Sequence, residues 1–186
     1  MSAPWLPSAE RPPRCPLIVF CGKGGVGKTT LSVSLGLEYA RRGKRVVVVS
    51  SVPLSDVAIA VSLDALWQHE TTTAANLNVT YIDPREILAT MLERQFASPL
   101  LAQQVLNSGI YRNLIEVAPG LKELAFLARL RELTETRQVG GMIDALIWDA
   151  PATGHFLETL SAARKFDLYL SGPFAATSRD VQQFFA

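Results

Sequence analysis

Residues 22–30 read Gly-Lys-Gly-Gly-Val-Gly-Lys-Thr-Thr, and this stretch decides the fold. Gly22, Gly27, Lys28 and Thr29 satisfy the spacing G-x-x-x-x-G-K-[ST], in which each residue type has a physical task. Gly22, Gly24, Gly25 and Gly27 permit backbone conformations closed to other residues. Successive N–H groups, that of Val26 included, can then turn inward around phosphate oxygens. The Lys28 ammonium is placed for the terminal phosphates and the Thr29 hydroxyl for a Mg2+ ion, with Thr30 next in the helix that begins there. The N-terminus of that helix adds partial positive charge to the same anion. The pattern implies a loop that holds a nucleoside triphosphate.

The flanks agree with the loop. Residues 17–21 are a short apolar run, and residues 45–50 contain Val46, Val47, Val48 and Val49 in succession. Unbroken runs of this kind predict strands buried on both faces, as in a parallel sheet covered by helices. Between them, residues 29–42 carry Leu31, Leu35 and Tyr39 at helical spacing, and Gly43 marks the stop. Strand, turn, helix and strand make a βαβ unit of roughly 30 residues. Downstream, residues 79–82 predict a third strand closed by Asp83-Pro84, with Pro84 at the first position of a helix over 84–95. A helix over 99–107 follows. Leu121, Leu124, Ala125 and Ala128 then form an apolar stripe on a helix reaching about residue 137, broken by Gly140-Gly141. Residues 145–148 read as a strand ending at Asp149, and residues 168–170 as a further one. The expectation is one three-layer α/β domain over 17–186, with a mostly parallel sheet and a helical insertion at about 84–138. A flexible leader over 1–16 precedes it, holding five of the eleven prolines.

Composition narrows the class. The chain has 186 residues, 48% of them apolar and 19% charged, which excludes a largely disordered polymer. Eighteen Lys and Arg against seventeen Asp and Glu give a net charge of +1, so nothing points to a nucleic-acid partner. No apolar run approaches the roughly 18 residues of a membrane helix, and the N-terminus lacks a secretory apolar core. A cytoplasmic protein is expected, with membrane contact only indirect if any. Cys15 and Cys21 are too few and too close together to staple a secreted domain.

The second lysine of the loop is distinctive. The run from Lys23 to Thr30 resembles the deviant phosphate loop of one branch of the P-loop ATPases. That branch includes partition and cell-division-site ATPases, nitrogenase iron protein, and the arsenical pump-driving and tail-anchored-protein-targeting ATPases. The resemblance implies ATP and Mg2+ as ligands and a homodimer in which Lys23 reaches across to the partner's nucleotide. A second motif narrows the choice. Asp149-Ala150-Pro151-Ala152-Thr153-Gly154-His155 resembles the switch II segment of the arsenical pump-driving ATPase family. By that resemblance Asp149 holds a Mg2+-bound water, Pro151 and Gly154 shape a backbone that follows the γ-phosphate, and His155 is a switch-state hydrogen-bond partner or simply a polar residue at a helix start. Ala118-Pro119-Gly120-Leu121-Lys122-Glu123 resembles, more weakly, the family's segment before a long helix.

Switch I departs from the family pattern. Where relatives place a water-positioning aspartate, Val52 stands in Ser50-Ser51-Val52-Pro53-Leu54-Ser55-Asp56, and valine cannot polarise water. Asp56 is a catalytic candidate from the shortened loop, or a helix cap. The expectation is an ATP-binding switch that hydrolyses slowly to control a partner protein. A non-hydrolysing ATP-gated module and a membrane-protein targeting factor are the alternatives. Cys15 and Cys21 give no converging thiolates for arsenite, and Cys21 is expected as a small buried residue at the end of a core strand. Ile87, Leu88, Met91 and Leu92 have the spacing of a core-facing stripe rather than of a groove for an apolar client. Ser178 suggests the cap of a short final helix whose Val181, Phe184 and Phe185 need cover. The chain is therefore expected to be a nucleotide-binding part, completed by further sequence or by another polypeptide.

Overall fold

Four valines set the centre of the sheet. In the computed structural model, which describes residues 14–51, 76–94, 98–109, 111, 118, 120–135, 137–138, 141–166 and 173–185, the strand β2 (Val46–Ser50) is buried along its whole length. It pairs in parallel with β3 (Leu77–Tyr81) on one side and with β6 (Ala145–Ala152) on the other. β6 in turn pairs in parallel with β1 (Leu17–Gly22), giving the order β1-β6-β2-β3. A two-residue ribbon, β4 (Arg137–Gln138) and β5 (Gly141–Met142), pairs antiparallel just before β6. The fold is α/β with a mostly parallel sheet, as the valine run and the loop imply.

Alternation along the strands creates two cores. Val46, Val48 and Ile147 face the helix α1 (Lys28–Arg41), whose Val33 is fully buried among them. Val47, Val49, Leu146 and Trp148 face the opposite side. There α2 (Pro84–Glu93), α4 (Leu121–Glu135), α5 (Thr153–Phe166) and α6 (Pro173–Phe185) complete the third layer. The helices between β3 and β6 are an insertion in chain order. In space, α4 packs into the second core, with Leu121, Leu124, Ala125, Leu127 and Leu130 buried. Leu88 is buried there too, with Ile87 and Met91 packed against the same core, as their spacing indicates. The third helix, α3 (Pro99–Asn107), buries Ala102 and leaves Leu100 and Leu101 exposed.

Several local expectations are corrected. Leu31 is exposed, because α1 turns its smallest residues to the sheet: Ser32, Val33, Gly36 and Ala40 are buried. β6 runs four residues past Trp148, to Ala152. Pro151 is tolerated there because β2 stops pairing at Ser50↔Asp149 and the β1 register shifts between Phe20 and Gly22. Cys21, at that irregularity, is exposed rather than buried, whereas Cys15 is buried. The described end of the proline-rich leader is packed: the Cys15 N–H donates to the Thr134 carbonyl at 3.1 Å, and Arg14 pairs with Glu135 at 2.6 Å. Ser178 is not a cap. Its helix begins at Pro173, Ser178 is buried in its interior, and Val181 and Phe185 pack into the second core. Phe184 lies under the Arg14 guanidinium, 5.2 Å from the ring centre. Residues 168–170, expected as a strand, lie outside the described residues.

Gly36 marks a close approach of helix to sheet. A Cβ there would come within 2.9 Å of both Leu77 Cδ1 and Val48 Cγ2, and the buried Val48 side chain has one stiff torsion with nowhere to turn. Helix propensity alone favours alanine by about 1 kcal/mol, but the overlap costs about 1–3 kcal/mol. The net cost is up to about 2 kcal/mol, so Gly36→Ala is expected to lower the melting temperature by up to about 8 °C. The exposed Ser34→Ala should leave it unchanged, and calorimetry checks both.

Candidate nucleotide-binding site

The loop between β1 and α1 is shaped by its glycines. Gly27 is the N-cap residue of α1 with φ 85°, and Gly25 has φ 74°, conformations that a side chain disfavours. A Cβ at Gly24, Gly25, Gly27 or Gly154 would meet no protein atom within 4 Å. The cradle is therefore kept open by backbone conformation and not by crowding. Inside it, Lys28 Nζ donates to the Lys23 carbonyl oxygen at 2.9 Å and closes the loop on itself. The residues Lys23, Gly24, Gly25, Val26 and Thr30 are exposed around this turn, with Gly22, Lys28 and Thr29 partly so.

β6 brings a carboxylate to the start of α1. Thr29 Oγ1 donates to Asp149 Oδ2 at 2.7 Å across 120 residues of sequence. Asp149 is only 4% exposed, and its other oxygen, Oδ1, is buried without a hydrogen-bond partner. Burial pushes the Asp149 carboxyl above its ordinary value of 3.8, while the Thr29 hydroxyl, the nearby Ser32 hydroxyl and the Lys28 charge pull the other way. The neighbouring Ser32 hydroxyl is spent on the Lys28 carbonyl at 2.6 Å. An unsatisfied carboxylate oxygen beside a threonine hydroxyl, at the carboxyl end of parallel strands, fits a hydrated Mg2+ ion. No group of three or more His, Cys, Asp or Glu among the described residues forms a metal cage, so phosphate and water would supply most of the ligands.

The remaining candidates are placed unevenly. Pro151 lies in β6, Gly154 in the first turn of α5, and His155 one residue further, exposed, with Nδ1 3.4 Å from Glu158 Oε2. His155 lines a different space, which Lys28, Thr29 and Asp149 do not line. That space is a cleft of about 570 Å³ on the sheet face opposite α1, lined in part by Ser51, Tyr81, Phe126, Trp148, Pro151 and His155. Val52 and Asp56 lie outside the described residues. Sequence reasoning missed Ser51, which donates through Oγ to the Asp149 carbonyl at 2.7 Å and accepts from Trp148 Nε1 at 3.0 Å. Its only signal was position, directly after a buried strand.

A glycine loop, a lysine, a threonine and an aspartate gathered at the ends of parallel strands define a P-loop nucleotide-binding protein. The family can be stated as well. Residues 15–185 match the anion-transporting ATPase family, and the chain belongs to it. Its relatives include the ATPase get3 of Schizosaccharomyces japonicus, 31% identical over 163 residues, covering 85% of this chain and 47% of the relative. The arsenical pump-driving ATPase of Escherichia coli is 25% identical over 186 residues, covering 91% of this chain and 30% of the relative. That of Acidiphilium multivorum is 26% identical over 182 residues, with the same two shares. The chain thus spans no more than about half the length of the curated relatives it matches.

The strained carboxylate gives a two-sided expectation. With its pKa raised, Asp149 lowers the stability of the metal-free fold above that pKa, and the penalty fades as pH falls through it. Asp149→Asn should therefore raise the metal-free melting temperature, by roughly 2–4 °C for each kcal/mol relieved, while removing any stabilisation that Mg2+ adds to ATP. On acidification, Mg2+-dependent ATP binding should fade at a pH above 3.8 in the unsubstituted protein. Scanning calorimetry and equilibrium binding across pH measure both.

Proposed function

We propose that the chain is the nucleotide-binding part of an ATP-dependent dimeric switch that controls a partner protein. The observation that carries this reading is the Thr29–Asp149 hydrogen bond beside an unpartnered Asp149 oxygen, set against the glycine cradle. Lys28 would exchange the Lys23 carbonyl for the β- and γ-phosphate oxygens, Thr29 and Asp149 (through water) would hold Mg2+, and the loop N–H groups would bind the remaining phosphate oxygens. Family membership supports ATP as the nucleotide and hydrolysis as the reaction. The switch II residues Pro151, Gly154 and His155 follow Asp149 directly, so movement at the terminal phosphate passes into the start of α5.

Two features support a homodimer with ATP at its interface. Lys23 is exposed on the rim of the loop, free to extend toward a facing copy. Val26 on the loop and Leu31 in the first turn of α1 are 58% and 56% exposed beside it. Val52 in place of a water-positioning aspartate makes turnover slow, with Asp56 either a helix cap or the carboxylate that reaches in from the shortened loop. The client is a protein or a complementary C-terminal chain. A metalloid client is disfavoured, since Cys15 and Cys21 stand six positions apart on nearly extended chain, roughly 20 Å, too far for one soft ion. No helix among the described residues is long and apolar enough to cross a membrane.

Lys28→Ala is expected to weaken ATP·Mg2+ binding by about 10- to 150-fold, the range for one charge-assisted contact, as read by calorimetric titration. Lys23→Ala should leave that affinity within about threefold at protein concentrations that keep the chain monomeric, and abolish nucleotide-dependent dimerisation. Light scattering on the unsubstituted protein with and without ATP·Mg2+ is the direct test. A monomer in both conditions removes the dimer, and rapid phosphate release unaffected by Asp56→Ala removes slow turnover and the role of Asp56 together.

A further inference from the structure

The residue directly after β2 holds the metal-side strand by three hydrogen bonds. The Ser51 N–H donates to the Asp149 carbonyl oxygen at 3.2 Å, and the Ser51 hydroxyl donates to the same oxygen at 2.7 Å. That hydroxyl also accepts from the Trp148 indole N–H at 3.0 Å. The indole is 1% exposed and packs between Phe126 of α4 and Phe156 of α5, with ring centres 5.3 Å and 5.2 Å away. Asp149 and Trp148 are neighbours on one strand and point to opposite faces, one to the nucleotide loop and one to the second core.

We propose that Ser51 is a positioning residue for the Asp149 carboxylate, and that Trp148 carries the state of that carboxylate to the α4–α5 layer. The proposal rests on the reading of Asp149 as the group behind Mg2+. Two bonds to one carbonyl fix the Asp149 peptide plane and with it the direction of the carboxylate toward Thr29. A shift of Asp149, were its free oxygen to take up a metal-bound water, would pull on the Ser51 hydroxyl. That hydroxyl is shared with the indole, so the shift reaches a ring clamped by two helices. It also reaches the wall of the 570 Å³ cleft, which Ser51 and Trp148 both line. The first residue of the segment that carries Val52 and Asp56 is tied to the same carbonyl, so the segment's root moves with the strand.

The test separates positioning from mere support. ATP binding is measured with Mg2+ and with EDTA for the unsubstituted chain, Ser51→Ala and Ser51→Thr. Ser51→Ala is expected to lower the Mg2+ enhancement of ATP affinity about tenfold while leaving affinity in EDTA within about twofold. Ser51→Thr, which keeps the hydroxyl, should restore the enhancement. The second readout uses Trp148 emission in a Trp5→Phe, Trp67→Phe background, which leaves one tryptophan. ATP with Mg2+ should shift that emission, ATP in EDTA should not, and Ser51→Ala should erase the difference. Equal loss with and without Mg2+, or no loss, overturns the proposal, as does Trp148 emission that responds identically to both forms of ATP. If Ser51→Ala does not fold, the emission of the Ser51 protein decides alone. If the unsubstituted chain shows no Mg2+ enhancement at all, the reading of Asp149 fails first and takes the proposal with it.

Discussion

A hydrogen bond of 2.7 Å between Thr29 and Asp149 joins the two halves of this structure. One partner opens the helix after the glycine loop; the other lies on a strand that arrives more than a hundred residues later. The bond forms only if β6 inserts between β1 and β2, and that insertion is what the sheet order records. The burial of β2 and β6 follows, because a strand paired on both sides and covered on both faces must be apolar throughout. Asp149 is the exception on β6. It is a carboxylate forced into that environment with one oxygen satisfied and one not. An interior site of this kind is costly in isolation, which ties it to function rather than to stability.

Much of the fold was legible because its signals are local. The loop glycines, the four valines and the Asp83-Pro84 helix start each specify their own neighbourhood. Asp83 does cap α2, accepting from the Arg85 N–H at 2.8 Å. The stripes on α2 and α4 gave the second core because amphipathic helices show their buried side in their period. On α1 the period was only a partial guide: Leu35 and Tyr39 pack at the border of the sheet-side core, while Leu31 is exposed. Close packing onto β2 and β3 selects Gly36 and Ala40, and small residues leave little trace in a hydrophobic pattern.

The candidate site was legible in part for the same reason. Lys28, Thr29 and Asp149 could be named because their spacing and flanks carry the chemistry. Ser51 and Trp148 could not, since a serine after a strand and a tryptophan within one are ordinary, and their significance lies in contacts 97 and 98 residues apart. Cys21 shows the opposite error. It looks like a core residue in an apolar run, yet the register shift opposite Pro151 leaves it in solvent. His155 follows Asp149 in the motif but opens onto the cleft, since β6 runs on past the carboxylate before α5 turns away.

The closed loop has a consequence for selectivity. Lys28 already has a partner, the Lys23 carbonyl, so a ligand gains only the difference between its own oxygens and that carbonyl. A neutral or weakly charged molecule that reaches the cradle offers no better acceptor and leaves the lysine where it is. A polyphosphate chain offers several anionic oxygens at once and wins the exchange. On the proposed reading the lysine would then leave the Lys23 carbonyl, and the loop would lose the bond that closes it on itself.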